Sequence, residues 1–332
     1  MNPKVGDPFE RKAGPALQSS PDTIQWLLAG DPAIRWQVMR DLLDAPEAEW
    51  QAERQQMLAH GWASNLLARQ NPDGGWGEGV YSPKWTSTTY TLLALREMGL
   101  PSDCSPAQRG ARLVLDKILG ETRDAAFQGR LAECDRCIVG MILALSTVFE
   151  IEDERVEALV ENVLAERMPD GGWNCRRHHK PYPHHSSFHT TLNVLDGLRD
   201  TLERRPGSRL AADAAAAERG AQELLLEHRL FRSDKTGQVI KENFTKVVYP
   251  YRWHYDFLRG LEYFARARAP RDPRLQDAID LLRQRQGDDG RWPNQKKYTG
   301  KVFFTLEPAR ESSRWNTLRA LRVLRWWESD PS

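Results

Sequence analysis

One phrase recurs along this chain of 332 residues, and it limits the fold more than any other feature. Gln70-Asn-Pro-Asp-Gly-Gly-Trp76 precedes a polar loop and then TSTTYTLLALREMGL. Met168-Pro-Asp-Gly-Gly-Trp173 precedes a loop and SSFHTTLNVLDGLRD, and Gln286-Gly-Asp-Asp-Gly-Arg-Trp292 precedes a loop and ESSRWNTLRALRVLRW. Weaker copies are Phe127-Gln-Gly-Arg130 before ECDRCIVGMILAL, and Phe231 to Gly237 before YRWHYDFLRGLEYF. The aromatic anchors lie about 45–60 residues apart, the spacing of arrays and rings of helical hairpins.

An amphipathic helix pattern precedes each anchor. Val156, Leu159, Val160, Val163 and Leu164 form one such stripe, Ala111, Val114, Leu115 and Ile118 another, and Leu275, Ala278, Ile279 and Leu282 a third. A second helix follows, as with Phe188, Leu192, Leu195 and Leu198. The unit is helix, Gly-rich turn with an aromatic wedge, loop, helix. Five units fill roughly residues 50–327. PDTIQWLLAG and DPAIRWQVMRDLL, each opening on Ser-Pro or Asp-Pro, supply a sixth hairpin. The expected fold is all-α: an (α/α)6 toroid over residues 21–332, second helices inside, behind a flexible arm at 1–20. An open solenoid is the competing arrangement. KVVYPY and KVFFTL are the only strand candidates.

Composition narrows the function. The 47 Lys+Arg against 46 Asp+Glu leave no polyanion-binding footprint, so nucleic acid is not an expected partner. No apolar run reaches a transmembrane span, and the opening residues show no secretory signal. With four cysteines, the cytoplasm is the expected compartment. Neither a G-x-x-x-x-G-K-[ST] loop nor a Rossmann glycine run is present.

The Gln…Gly-Trp phrases are similar to the repeats of squalene–hopene cyclases, whose toroid is shared by protein prenyltransferase β subunits. The resemblance spans about residues 20–328. It implies a catalytic zinc site from an Asp-x-Cys pair after an FQGR-like turn and a His opening the next inner helix. Here these match Asp135, Cys137 and His189, a three-ligand set that leaves one position open. Asp135 and Cys137 converge only if the helix begins at about Asp135. A cysteine-rich set of Cys134, Cys137 and His189, with Cys175, is an alternative, and so is no metal at all. Arg130 matches a diphosphate-contacting Arg of prenyltransferases. The family's lysine before the zinc site and tyrosine after it are not reproduced: Glu133 and Ile138 stand near those places. The Asp-x-Asp-Asp acid of class II cyclases is absent, which disfavours cyclisation of a squalene-type substrate.

Two further segments bear chemistry. Five of the eight histidines fall within residues 178–189, and His178, His179, His184 and His185 belong to the loop entering the His189 helix. Such a loop can supply ligands, a proton shuttle or a solvated rim. Tyr249-Pro-Tyr-Arg252-Trp253-His254-Tyr255-Asp256 opens another inner helix, where Arg252 and His254 could balance a leaving group's charge. Trp85, Trp253, Tyr255, Trp315 and His185 are the expected substrate contacts. The resulting expectation is a zinc-dependent (Zn2+) prenyltransferase-like enzyme. It would hold a hydrophobic or isoprenoid small molecule in an aromatic cavity and activate a thiol acceptor, with or without an unseen protein partner. The alternatives are a zinc hydrolase or lyase, and a non-catalytic lipid- or protein-binding toroid.

Overall fold

The computed structural model describes residues 20–176 and 179–329. The arm expected at 1–20, apart from Ser20, lies outside them, as do Arg177 and His178 of the histidine-rich loop. Helices pair along the chain as α1 (Pro21–Leu28) with α2 (Pro32–Asp41), and α3 (Glu47–Gln55) and α4 (Gly61–Leu67) with α5 (Thr88–Met98). Then come α6 (Ser105–Leu119), a short α7 (Ala125–Glu133) and α8 (Arg136–Val148). The last pairs are α9 (Glu154–Ala165) with α10 (Phe188–Arg204), α11 (Ala211–Glu227) with α12 (Phe257–Arg266), and α13 (Gln276–Gln284) with α14 (Arg314–Glu328).

Local chemistry sets these limits. Ser20, Asp31, Asp153, Ser187, Asp256 and Ser313 each accept a backbone N–H of the helix they start. The second helices of the pairs are buried nearly all round, as in α5 and α8, and form the inner layer. The first helices bury one face, as α13 does with Ala278, Ile279 and Leu282. The inner layer closes on itself. Trp36 of α2 donates to the Met98 carbonyl of α5 at 3.0 Å, and Arg259 of α12 pairs with Asp196 of α10 at 2.6 Å. Arg319 of α14 pairs with Glu262 of α12 at 2.6 Å, and Arg322 returns to Asp41 of α2 at 2.7 Å. The last inner helix therefore meets the first, and the fold is the all-α toroid, not an open solenoid. Between α8 and α10 the backbones come so close that a methyl group at Gly140 would lie 2.5 Å from the Asn193 carbonyl oxygen.

The three strong repeats share one turn. Trp76, Trp173 and Trp292 are fully buried, and each indole N–H donates to the carbonyl ending the outer helix: Leu66 at 2.7 Å, Val163 at 2.6 Å, Leu282 at 2.7 Å. Each tryptophan's backbone N–H donates to an inner-helix threonine: Thr88 at 2.9 Å, Thr191 at 3.1 Å, Thr317 at 3.0 Å. Gly74, Gly171 and Gly290 take the left-handed backbone the turn needs, with φ of 89°, 97° and 74°.

The weak copies differ. Phe127 is buried inside α7, so the FQGR segment is helix and not turn. The two strand candidates form no strand. Instead Lys301 trades backbone hydrogen bonds with the loop before α5: Trp85 N–H to the Lys301 carbonyl at 2.7 Å, Lys301 N–H to the Lys84 carbonyl at 2.8 Å. This lays the 297–307 loop over the mouth where the inner helices begin. No helix among the described residues is long and apolar enough to cross a membrane.

Candidate functional site

On the inner side of the ring, α5 contributes Leu93, Arg96 and Glu97, α8 Met141 and Ala144, α10 Asn193 and Asp196, and α12 Arg259 to a small cavity. Tyr251 and Arg252 complete its wall. A second small cavity lies between Tyr249, Arg252 and the 297–307 loop, so Arg252 borders both. Half of the residues lining the first cavity are charged: Arg96, Glu97, Asp196, Arg252 and Arg259. An apolar pocket for an isoprenoid chain would need the opposite, because burying apolar groups against ionised ones gives no compensating contact.

Glu97 is the outlier in this wall. Burial pushes its carboxyl up to about 7, and the nearby guanidinium groups of Arg259, Arg252 and Arg96 pull the other way without overcoming it. Its Oε2 is buried without a hydrogen-bond partner. Asp196 shows the reverse balance. Burial raises it, but Arg259 in contact and Arg96 nearby outweigh burial and hold it below the usual carboxylate range. Arg259 also donates to Asn193 Oδ1 at 3.1 Å, which fixes its guanidinium plane. At neutral pH Glu97 is thus near its midpoint, able to hold or release a proton, while Asp196 beside Arg259 stays ionised. Tyr251 is pushed far above 10 by burial and keeps its proton.

Arg252 sits in a left-handed backbone conformation, φ 59°, and its guanidinium lies over Trp85 at 5.4 Å. Among the described residues it makes no ion pair and no hydrogen bond. His254 is two residues away in sequence but belongs to an aromatic stack. Its ring is 3.6 Å from Tyr298 and 4.0 Å from Trp253, and burial holds it at about 3, hence neutral. Trp85 donates to the Thr299 carbonyl at 3.0 Å, and Trp253 faces His189 at 5.2 Å. Trp315 stacks on Tyr249 at 4.7 Å. Tyr255 is buried against Phe188 and Phe244, its hydroxyl bonded to the Leu230 carbonyl at 2.6 Å. His185 is exposed on the mouth loop. Arg130 is exposed on α7, away from the cavity lining, and donates to the Leu119 carbonyl at 2.6 Å.

The expected zinc set is divided by the structure. Asp135 is the N-cap of α8, the helix start that Asp135 and Cys137 need in order to converge. Their ligand atoms gather with Cys175, all within 4.8 Å of one another, and His189 is not in that group. The His189 Nδ1 accepts the Tyr255 N–H at 2.7 Å. A neutral imidazole accepting at one nitrogen carries its proton on the other, so neither lone pair is left for a metal. Burial, with Lys241 and Arg259 adding to it, lowers His189 to about 4. Cys175 receives hydrogen bonds from the Cys137 thiol and from Thr190, which lower it, whereas Cys137 is raised.

No protein-family model and no curated protein matches the chain. Similar solved structures include a protein from Actinoplanes, with 18% identity, 90% of each chain covered and a TM-score of 0.42. Another is a glycosyl hydrolase family 88 protein from Bacteroides vulgatus, at 13% identity, covering 92% of this chain and 97% of that one, with a TM-score of 0.49. A third is a polysaccharide lyase at 11% identity, 92% and 95% covered, TM-score 0.43. Two of the three are named as carbohydrate enzymes and none as a cyclase or prenyltransferase, and the resemblance drawn from the Gly-Trp phrases is corrected accordingly. The physical reason is that those phrases specify the turn between two helices and nothing inside the ring. The prenyl-transfer reading, with its isoprenoid cavity and its FQGR turn, goes with it.

Glu97, Asp196, Asn193 and Arg259 were missed in the sequence. The available signal was charge interrupting apolar inner-helix runs: LREM, NVLDGL and FLRGL. A charge at the middle of a helix buried all round must face a partner or a site.

Proposed function

We propose that this chain is a hydrolase or lyase acting on a polar, hydroxylated substrate of the carbohydrate class, bound at the axial cavity. The observation that carries this reading is two carboxyls in one wall with opposite surroundings: Glu97 buried with its Oε2 unpartnered and its carboxyl pushed up to about 7, Asp196 paired with Arg259 and pulled down. Cleaving a bond to a carbon–oxygen leaving group, by water or by elimination, needs a proton delivered to that oxygen and a base for the other proton. Glu97 is the donor in this scheme. Asp196, held in place by Arg259, is the base or the stabiliser of positive charge. Arg252, with open donors, neutralises negative charge on the substrate or leaving group. Asn193 and Tyr251 supply hydrogen bonds of the kind hydroxyl groups use. The four free thiols support a reducing compartment such as the cytoplasm.

The test is a panel of neutral and acidic oligosaccharides incubated with the full chain. Hydrolysis incorporates labelled water into a new reducing end, whereas elimination yields an unsaturated ring that absorbs in the ultraviolet. The active wild type is expected to lose about 10²–10⁴-fold in kcat as Glu97→Gln, with fold retained. Turnover that survives Glu97→Gln would remove the acid from the scheme. No turnover of any member by the wild type would remove the carbohydrate reading.

A further inference from the structure

We propose that Asp135, Cys137 and Cys175 form a binding site for one thiophilic divalent cation, which ties the start of α8 to the loop after Trp173. The site stands on its own geometry and assigns the metal no part in the reaction proposed above.

Two thiols and one carboxylate place their ligand atoms within 4.8 Å of one another, the span a tetrahedral ion needs after small side-chain adjustments. The donor set favours a borderline-soft ion such as Zn2+ over Mg2+ or Ca2+, which take oxygen ligands. Three ligands leave a fourth position for water.

Independent features of the surroundings support a ligand at this place. Asp135 occupies the N-cap of α8, yet its side chain accepts none of that helix's N–H groups. Among the described residues it has no ion pair either. The adjacent Arg136 is turned away, donating to Asn162 and to the carbonyls of Leu131, Ala132 and Cys134. Among the described residues the carboxylate is therefore committed to no protein partner and is accessible to an ion. At Cys175 the opposite holds: the sulfur accepts the Cys137 backbone N–H at 3.2 Å and the Thr190 hydroxyl at 3.3 Å. Donors of this kind orient a thiolate and offset its charge, as the groups behind a metal ligand do. Cys134 is not in the cluster, its sulfur lying 3.8 Å from the Asp135 carbonyl.

The test titrates the full chain, stripped with chelator and held reduced, with Co2+. One ion per chain is expected, with sulfur-to-cobalt charge-transfer absorption that Zn2+ displaces. Cys137→Ser and Cys175→Ser should each remove most of that absorption, and Asp135→Asn should weaken binding about 10–100-fold. Cys134→Ser and His189→Gln should leave binding as it was. A wild-type chain that takes up no Co2+ overturns the site. So does binding that persists in Cys175→Ser and disappears in Cys134→Ser or His189→Gln.

Discussion

The hairpin turns and the axial cavity follow opposite rules. At the turns, three separate stretches reproduce the same bonds: indole to outer-helix carbonyl, backbone N–H to inner-helix threonine, glycine at positive φ. In the cavity, the inner helices that line it contribute different groups: Arg96 and Glu97 from α5, Met141 and Ala144 from α8, Asn193 and Asp196 from α10, Arg259 from α12. Sameness builds the ring, and difference builds the site. Substitutions at the two places should therefore fail in different ways.

The largest effect is expected at the wedges. Trp173→Ala removes a fully buried indole and its bond to the Val163 carbonyl, and should lower stability by about 3–5 kcal/mol in denaturant unfolding. Trp76→Ala and Trp292→Ala should match it, because their surroundings match. A loss confined to one of the three would show that the turns are not equivalent supports.

Glu97→Gln should act in the reverse sense on stability. The Glu97 carboxyl is raised from an ordinary 4.5 to about 7 in the folded chain. Below pH 4.5 both folded and unfolded states hold the proton, and Glu97 adds no penalty. As pH rises through that interval the unfolded chain releases the proton first, so wild-type stability falls. Above pH 7 the folded chain carries a buried charge, and the penalty reaches on the order of 3 kcal/mol. The Gln variant should thus unfold like wild type at pH 4 and be the more stable of the two at pH 8. Equal stability at both pH values would show that Glu97 has no such shift. A site that gains stability when its acid is neutralised is one kept for chemistry rather than for packing.

This contrast also explains what the sequence could reveal. Repetition is visible without coordinates: the Asp-Gly-Gly-Trp phrases mark turns, the apolar stripes mark helices, and their number indicates closure. Asp135 at a helix start was legible too, since only there can it converge with Cys137. The cavity was not, because Glu97 and Arg259 carry no shared motif, and their meaning depends on which helices face across the ring. Phe127-Gln-Gly-Arg130 misled for the same reason. A short phrase can form a turn in one setting and, between Asp124 as cap and a buried phenylalanine, a helix in another.

The smallest effect sharpens the comparison most. Thr88, Thr191 and Thr317 each accept a buried tryptophan N–H, and valine keeps their shape without the oxygen. Each Thr→Val change leaves one buried N–H unpaired, at about 1–3 kcal/mol. Thr191 also reaches the Trp173 carbonyl, at 3.4 Å, and Thr88 reaches that of Trp76, at 3.4 Å, while among the described residues the Thr317 hydroxyl bonds only the Trp292 N–H. The order of loss should then be Thr88 and Thr191 first, Thr317 last. The weak hairpin at Phe127 uses a different device, its backbone N–H going to the Asp124 carboxylate at 2.7 Å. Asp124→Ala should remove the cap of α7 and lower the denaturant midpoint less than any of the Thr→Val changes. That substitution would leave the other turns intact, so the ring tolerates a changed turn where a local cap takes over the bond.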